Sequence, residues 1–396
     1  MSEQAKHQYE AFLHQLPSDW GLVELRQLGA VVGGGTPSRE VPSYWQGDIP
    51  WVTPGEISGE TGKLLCDTRE HISTTGLSGS GANLLPVGSL MVTTRATLGA
   101  RAINAVPMST NQGFKSITFK NPDDGGYYFH LFEKVKPELT RRASGTTFLE
   151  ISGAEFGSIR VPCPSKPEKK IIAQVLDTLD TAIRETESLI DKLKAVKQGL
   201  LHDLLTRGID ANGQLRPPQS EAPQIYKESP LGWIPKEWQV QRLDAVATRG
   251  SGHTPSKSVP SYWNGGIKWV SLADSHRLDR IYIQDTDKEI SELGIANSSA
   301  VVHPEGTVIL SRDAGIGKSS ILGSDMAVSQ HFMAWYCGEN LNNLFLYFYL
   351  QREKPRFEAI AMGSTIKTIG LQFFKRYEIA VPSRYEQNQT ADILMG

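Results

Sequence analysis

The chain has 396 residues, with 41 Lys and Arg against 43 Asp and Glu and a net charge of −2. Apolar residues make up 39% and charged residues 21%, which excludes wholesale disorder, collagen-like repeats and a uniformly basic nucleic-acid binder but leaves room for a localised basic groove. At about 100–200 residues per domain, this length predicts two or three domains. Cys66, Cys163 and Cys337 share no C-x-x-C spacing, which argues against a disulfide scaffold or a Cys-rich zinc site. The start, MSEQAKHQYEAFLHQ, is too polar for a secretory signal, and no apolar run approaches the roughly 20 residues of a membrane span. The expectation is a soluble, cytoplasmic protein.

In chain order, IPWVT at 49–53, SLMVTT at 89–94 and SITF at 116–119 read as strands, and 127–139 reads as a helix. From Ser165 to Arg207 the pattern changes. Ile172, Leu176, Leu179, Ile183, Ile190 and Leu193 step by alternating fours and threes, with Thr186 at the one polar seam position. That is a heptad stripe, and no Pro or Gly interrupts it before Gly199; Gly208 supplies a stop. Such a helix spans roughly 60 Å and wants a partner helix along its seam; the plainer alternative is that the seam packs on its own domain. GIDANGQLRPPQSEAPQ at 208–224 reads as a linker. Strands follow at IKWVS, TVILS and MAWYC, with a helix at 341–360. The fold class expected is mixed α/β.

The most informative feature is a duplication. TPSREVPSYW at 36–45 returns as TPSKSVPSYW at 254–263, an offset of 218 residues. The same offset carries Pro17 to Pro235, Trp20 to Trp238, Trp51 to Trp269, Gly88 to Gly306 and Gln112 to Gln330. Towards the ends of the copies the register reads as slipping, with Arg95 matched to Arg312 and Val161-Pro162 to Val381-Pro382. A period this long makes each copy a whole domain rather than a solenoid repeat. The layout expected is a first domain at 1–163, a long helix at 164–208, a linker at 209–231, a second domain at 232–382, and at 383–396 the start of a truncated second spacer helix. Ala391 and Leu394 repeat Ala173 and Leu176.

No catalytic constellation emerges. GIGKSS at 315–320 resembles the end of a phosphate loop, but the glycine required upstream is replaced by Arg312. There is no D/N-P-P-Y/F loop for transfer of a methyl group to a base amine. Asp123, Glu168 and Lys170 do not recur as a set in the second copy, and the nine histidines are scattered. What recurs is a group of polar and basic residues on loops. Thr36, Ser38 and Arg39, with Thr254, Ser256 and Lys257, follow glycines and could donate to phosphates, or could form a tight turn before the Tyr-Trp pairs. Tyr44-Trp45 and Tyr262-Trp263 are expected to be mainly packing. Thr94 and Arg95, with Arg312 and Lys318, lie at or beyond strand ends; an arginine there can fork onto guanine or make an internal ion pair. Asn111, Gln112 and Gln330 suit adenine contacts or loop capping, and Thr146, Thr147, Thr365 and Lys367 suit phosphate contacts or local turns.

With GGTPS…YW…IPWV, TTRATLG, TNQGF, SGTTFLEIS and VPCP set around the spacer helix, the chain resembles the specificity (S) subunits of type I restriction–modification systems. The resemblance covers almost the whole chain. It implies a non-catalytic, cofactor-free subunit in which each repeat is a target recognition domain reading one half of a split sequence in double-stranded DNA. It further implies that the helices pair antiparallel, set the half-site spacing and dock two methyltransferase (M) subunits, with restriction (R) subunits completing the enzyme. The base-reading stretches would be the variable ones, such as 55–84 and 273–300. The alternative reading is an S-like scaffold that binds proteins and no longer reads DNA.

Overall fold

The computed structural model describes residues 2–57, 62–95, 97–143, 150–361 and 368–396, the first six of these as backbone. It divides into two compact units, Met1–Glu187 and Ser188–Gly396. The helix Lys166–Thr206 runs through the division.

In the first unit a five-stranded sheet has the order 29–33, 114–119, 90–93, 101–104, 64–65, antiparallel except at its last pair. The central strand Leu90–Thr93 is wholly buried, which is why it reads as a continuous apolar run rather than an alternating one. Its side chains divide by the two-residue period of a strand. Leu90 and Val92 pack with Tyr128, Phe132 and Val135 of the helix Gly125–Arg142. Met91 faces the other way, with Val52, Ile57, Met108 and Phe114, towards a small sheet of strands 71–72, 49–52 and 109–110.

The second unit repeats this plan. Strands 247–251, 332–337, 308–311, 319–322 and 282–283 form its five-stranded sheet. Val308 and Leu310 face the helix Asn343–Ile360, while Ile309 packs with Val270, Met326 and Val328. All six strands and both helices expected within the copies are present, with ends shifted by at most four residues.

Main-chain hydrogen bonds fix the correspondence between the copies and correct the expected slips. Thr94 N donates to Gly113 O and Ile151 N to Thr94 O; in the second copy Arg312 N donates to His331 O and Ile369 N to Arg312 O. The counterpart of Arg312 is therefore Thr94, and that of Arg95 is Asp313. Likewise Gly21 pairs with Cys163 and Gln239 with Val381, so Cys163 matches Val381 and Pro164 matches Pro382. The offset stays at 218 at each of these positions.

Each unit joins the helix that follows it through the same device. Trp20 Nε1 donates to Glu168 (3.3 Å) and Trp238 Nε1 to Glu386 (3.1 Å), each glutamate standing three residues after a serine, Ser165 or Ser383, that caps the helix. In the second unit the node is larger. Glu386 also accepts from Arg216 Nη1 (2.5 Å) and Ile209 N (3.0 Å). Gly208, at φ +62°, lies where a Cβ would stand 2.0 Å from Glu386 Oε1, so a glycine is required at this helix stop. Residues 209–231, which read as a linker, thus include packed structure: Ile209, Arg216, Ala222 and Tyr226 are buried, and 226–229 pairs with 232–235 as a hairpin.

The heptad seam divides into two parts. Ile172 packs on the first unit's core and Leu176 is half-buried, but Leu179, Ile183, Ile190 and Leu193 are exposed. Leu201 and Leu205 enter the core of the second unit.

Candidate nucleic-acid interface

In each unit, loops from both sheets converge at one end. The glycine-rich loop crosses the 110–113 turn so closely that a Cβ on Gly34 would stand 2.0 Å from Asn111 O, and one on Gly252 1.7 Å from Val328 O. That contact explains the glycines ahead of both T-P-S segments. Beyond it the candidate residues meet one another. Thr36 Oγ1 donates to Gln112 Oε1 at 2.5 Å, and Thr254 Oγ1 to Gln330 Oε1 at 2.5 Å. Asn111 Oδ1 accepts from Gly113 N (2.9 Å). Ser38 Oγ accepts from Glu40 N (3.3 Å), and Ser256 Oγ lies 2.8 Å from Ser258 Oγ.

The tryptophans supply the frame. Trp45 and Trp51 pack edge to face at 4.9 Å, as do Trp263 and Trp269 at 5.2 Å. Their indole N–H groups donate to Ser38 O and Gly35 O in one copy and to Ser256 O and His253 O in the other. Rigid rings thereby hold the loop that carries Thr36 to Arg39, or Thr254 to Lys257.

On this shared frame the charges differ. Arg39 forks onto both oxygens of Glu70 and lies 3.6 Å over the Trp45 ring. The bond to Glu70 raises the arginine's pKa, and the arginine holds Glu70 below the usual carboxylate range. The equivalent positions in the second copy are Lys257 and Lys288, both exposed. One copy therefore presents a neutralised pair where the other presents two positive charges.

The strand-end residues differ in the same way. Thr94 is buried, its hydroxyl 3.3 Å from Gly113 O. The Arg95 side chain is 40% exposed, with Nε 3.8 Å from Glu150, a carboxylate that also lies 3.7 Å from Lys115 Nζ. Arg312 points inward, donating to Ile369 O (3.1 Å) and Thr368 Oγ1 (3.3 Å). Its neighbour Asp313 bonds His331 at 2.5 Å and also Thr368. Lys318 donates to Ser275 O (2.9 Å) and Oγ (3.0 Å), and GIGKSS forms a hairpin turn between strands 308–311 and 319–322, with no helix following it. Thr146, Thr147, Thr365 and Lys367 lie outside the described residues. Lys115, Glu150, Asp313 and His331 were not singled out from sequence, because matching Arg95 to Arg312 by residue type hid the strict register that places Asp313 opposite Arg95.

Among the described residues no group of three or more His, Cys, Asp or Glu could hold a metal ion, and no helix is long and apolar enough to cross a membrane.

The type I restriction modification DNA specificity domain model matches residues 17–195 and again 235–395. The MjaIX specificity subunit of Methanocaldococcus jannaschii is 28% identical over 305 residues, covering 76% of this chain and 68% of that protein. The MjaVIII specificity subunit of the same organism is 21% identical over 395 residues, covering 96% and 86%. The crystal structure of the S subunit from M. genitalium shares the fold, with a TM-score of 0.55 at 13% identity, covering 96% of this chain and 90% of that one. With its duplicated frame and two domain matches spanning most of its length, the chain belongs to the type I restriction–modification DNA specificity family.

Proposed function

We propose that this chain is the non-catalytic DNA-reading subunit of a type I restriction–modification complex, each repeat (1–163 and 232–382) serving as a target recognition domain for one half of a split, asymmetric site. The observation that carries this reading is one frame bearing two different chemistries. The loop, tryptophan pair and Thr–Gln bond recur in register, while Arg39–Glu70 becomes Lys257 and Lys288, and Arg95 becomes Asp313. A frame kept while its charges change suits two domains that dock alike and read unlike half-sites, with Lys and Arg positioning the backbone and base edges giving the sequence.

The apolar stripe of Leu179, Ile183, Ile190 and Leu193 is exposed. Its proposed role is to receive a helix of the assembly, either a spacer partner or the M subunits, two per complex, with R subunits added for cleavage in the cytoplasm. A net charge of −2 gives little sequence-independent attraction to DNA, so tight binding is assigned to the complex and weak binding to the chain alone.

Reconstitution tests the proposal. Co-expressed with its M subunits, the chain should direct methylation to one bipartite motif with dissimilar halves, read by sequencing of modified bases. A complex that forms without sequence-specific methylation would favour the scaffold reading, and methylation by the chain alone would contradict a non-catalytic role.

A further inference from the structure

The first turns of the spacer helix are held to the first unit by charge. Lys166 Nζ lies 3.2 Å from Asp123, and Lys169 Nζ 3.0 Å from Asp124 in a largely buried pair. Two turns further along, Asp177 binds a second cluster. Lys63 Nζ is 2.7 Å from each of its carboxylate oxygens, and His130 Nε2 is 2.8 Å from Oδ1. Asp180 stands 3.7 Å from the other nitrogen of His130. These groups come from three places: Lys63 from the variable stretch 55–84, His130 from the helix Gly125–Arg142, and Asp177 from the spacer helix. They meet where packing is close, since a Cβ on Gly126 would stand 3.2 Å from Lys63 Nζ and 3.3 Å from the Ala173 methyl.

The second copy lacks this cluster. At the same register Lys63, His130 and Asp177 become Ile281, Phe348 and Met395. Even the lower contact is uncharged there, Asn342 N donating to Gln387 Oε1 at 2.8 Å where the first copy has Asp124 and Lys169. Among the described residues, only the first unit ties its variable stretch to the following helix through an ion pair.

We infer that Lys63, His130 and Asp177 form a latch that fixes the angle of the first recognition domain on the spacer helix, making Asp177 a positioning residue for half-site spacing. This rests on the function proposed above. The attachments from Lys166 to Ala173 span only about two turns; the tie at Asp177, 11 residues or about 16 Å from Lys166 along the axis, lengthens the held segment and fixes its direction. The helix continues for 29 residues beyond Asp177, roughly 44 Å. A tilt of about 5° there moves its far end by roughly 4 Å, close to the about 3.4 Å separating successive base pairs.

The test uses the full chain with its M subunits, acting in cells on a plasmid library of random sequence, with modified bases sequenced. The wild type should methylate two half-motifs at one spacing. Asp177→Asn and Lys63→Met should keep both half-motifs but raise methylation at spacings one base pair shorter or longer severalfold, while Lys63→Arg keeps the single spacing. Thermal melting identifies a variant that fails to fold, in which case the other decides. An unchanged spacing profile in a folded variant overturns the latch alone, as does altered base preference in the first half-motif at unchanged spacing. A wild-type complex that methylates no bipartite motif overturns the functional reading, and the latch with it.

Discussion

Arg95 and Arg312 look interchangeable in the sequence and do different work in the structure. Arg312 is spent inside the protein, on Ile369 O and Thr368 Oγ1. Hydrogen bonds from a charged donor are worth about 1.5–3 kcal/mol, so Arg312→Ala should lower the melting temperature by several degrees. Arg95 is more exposed and its contact to Glu150 is long, an arrangement worth about 0–1 kcal/mol. Arg95→Ala should therefore cost less stability than Arg312→Ala and act on DNA. If the guanidinium forks onto guanine, discrimination at one position falls by about 1–3 kcal/mol; uniform weakening across site variants would make it a phosphate contact instead. Glu386 offers the sharpest stability test at this scale. Removing it leaves Arg216 buried without its closest carboxylate and Trp238 N–H without its acceptor. Loss of one partner of a buried ion pair costs about 3–5 kcal/mol, so Glu386→Ala should unfold the second unit well before the first in a melt. A single unchanged transition would contradict the node.

At the scale of elements, the strand–loop–strand frame tolerates exchange of charge but depends on close packing. His303 shows this. Its ring packs against Gly250, where a Cβ would stand 2.4 Å from Cε1, and burial depresses its pKa below the ordinary 6.5. As pH falls through 6.5 the unfolded chain takes up a proton that the folded chain resists, so stability decreases with falling pH below that value. Denaturant melts between about pH 6.5 and 5 should show this slope in the wild type and lose it in His303→Gln; equal slopes would place the titration elsewhere. The spacer helix makes the opposite point, because its exposed seam contributes nothing to the fold of either unit. Leu179→Glu with Ile183→Glu should leave the melting curve intact and abolish both association in light scattering across a concentration series and co-purification with M subunits. A marked fall in melting temperature would mean that the seam is covered by the chain itself. The central strands were legible as short continuous apolar runs, because both their faces are buried, and the spacer helix by the heptad spacing of its apolar seam. The packing of 209–231 was not, since its order comes from Arg216 and Ile209 meeting Glu386, 170 or more residues away, and composition carries no trace of such a contact.

At the scale of the molecule, the offset of 218 residues was the strongest signal and holds at the ends of the copies where residue identity suggested a slip. Matching Arg95 to Arg312 followed side-chain type, whereas the ladder follows backbone, and the backbone puts Thr94 opposite Arg312. The recurrence of the candidate residues was legible for a similar reason. Thr36, Gln112, Thr254 and Gln330 recur at the same offset, but sequence could not show that they bond each other or that Arg39 is committed to Glu70. Two domains sharing a frame should read two halves of one site independently. Replacing residues 1–163 with the first domain of a homologous subunit, then sequencing the modified bases made by the resulting complex, tests this directly. One half of the methylated motif should change while the other half and the position of its modified base stay as they were. Simultaneous change in both halves would contradict independent reading.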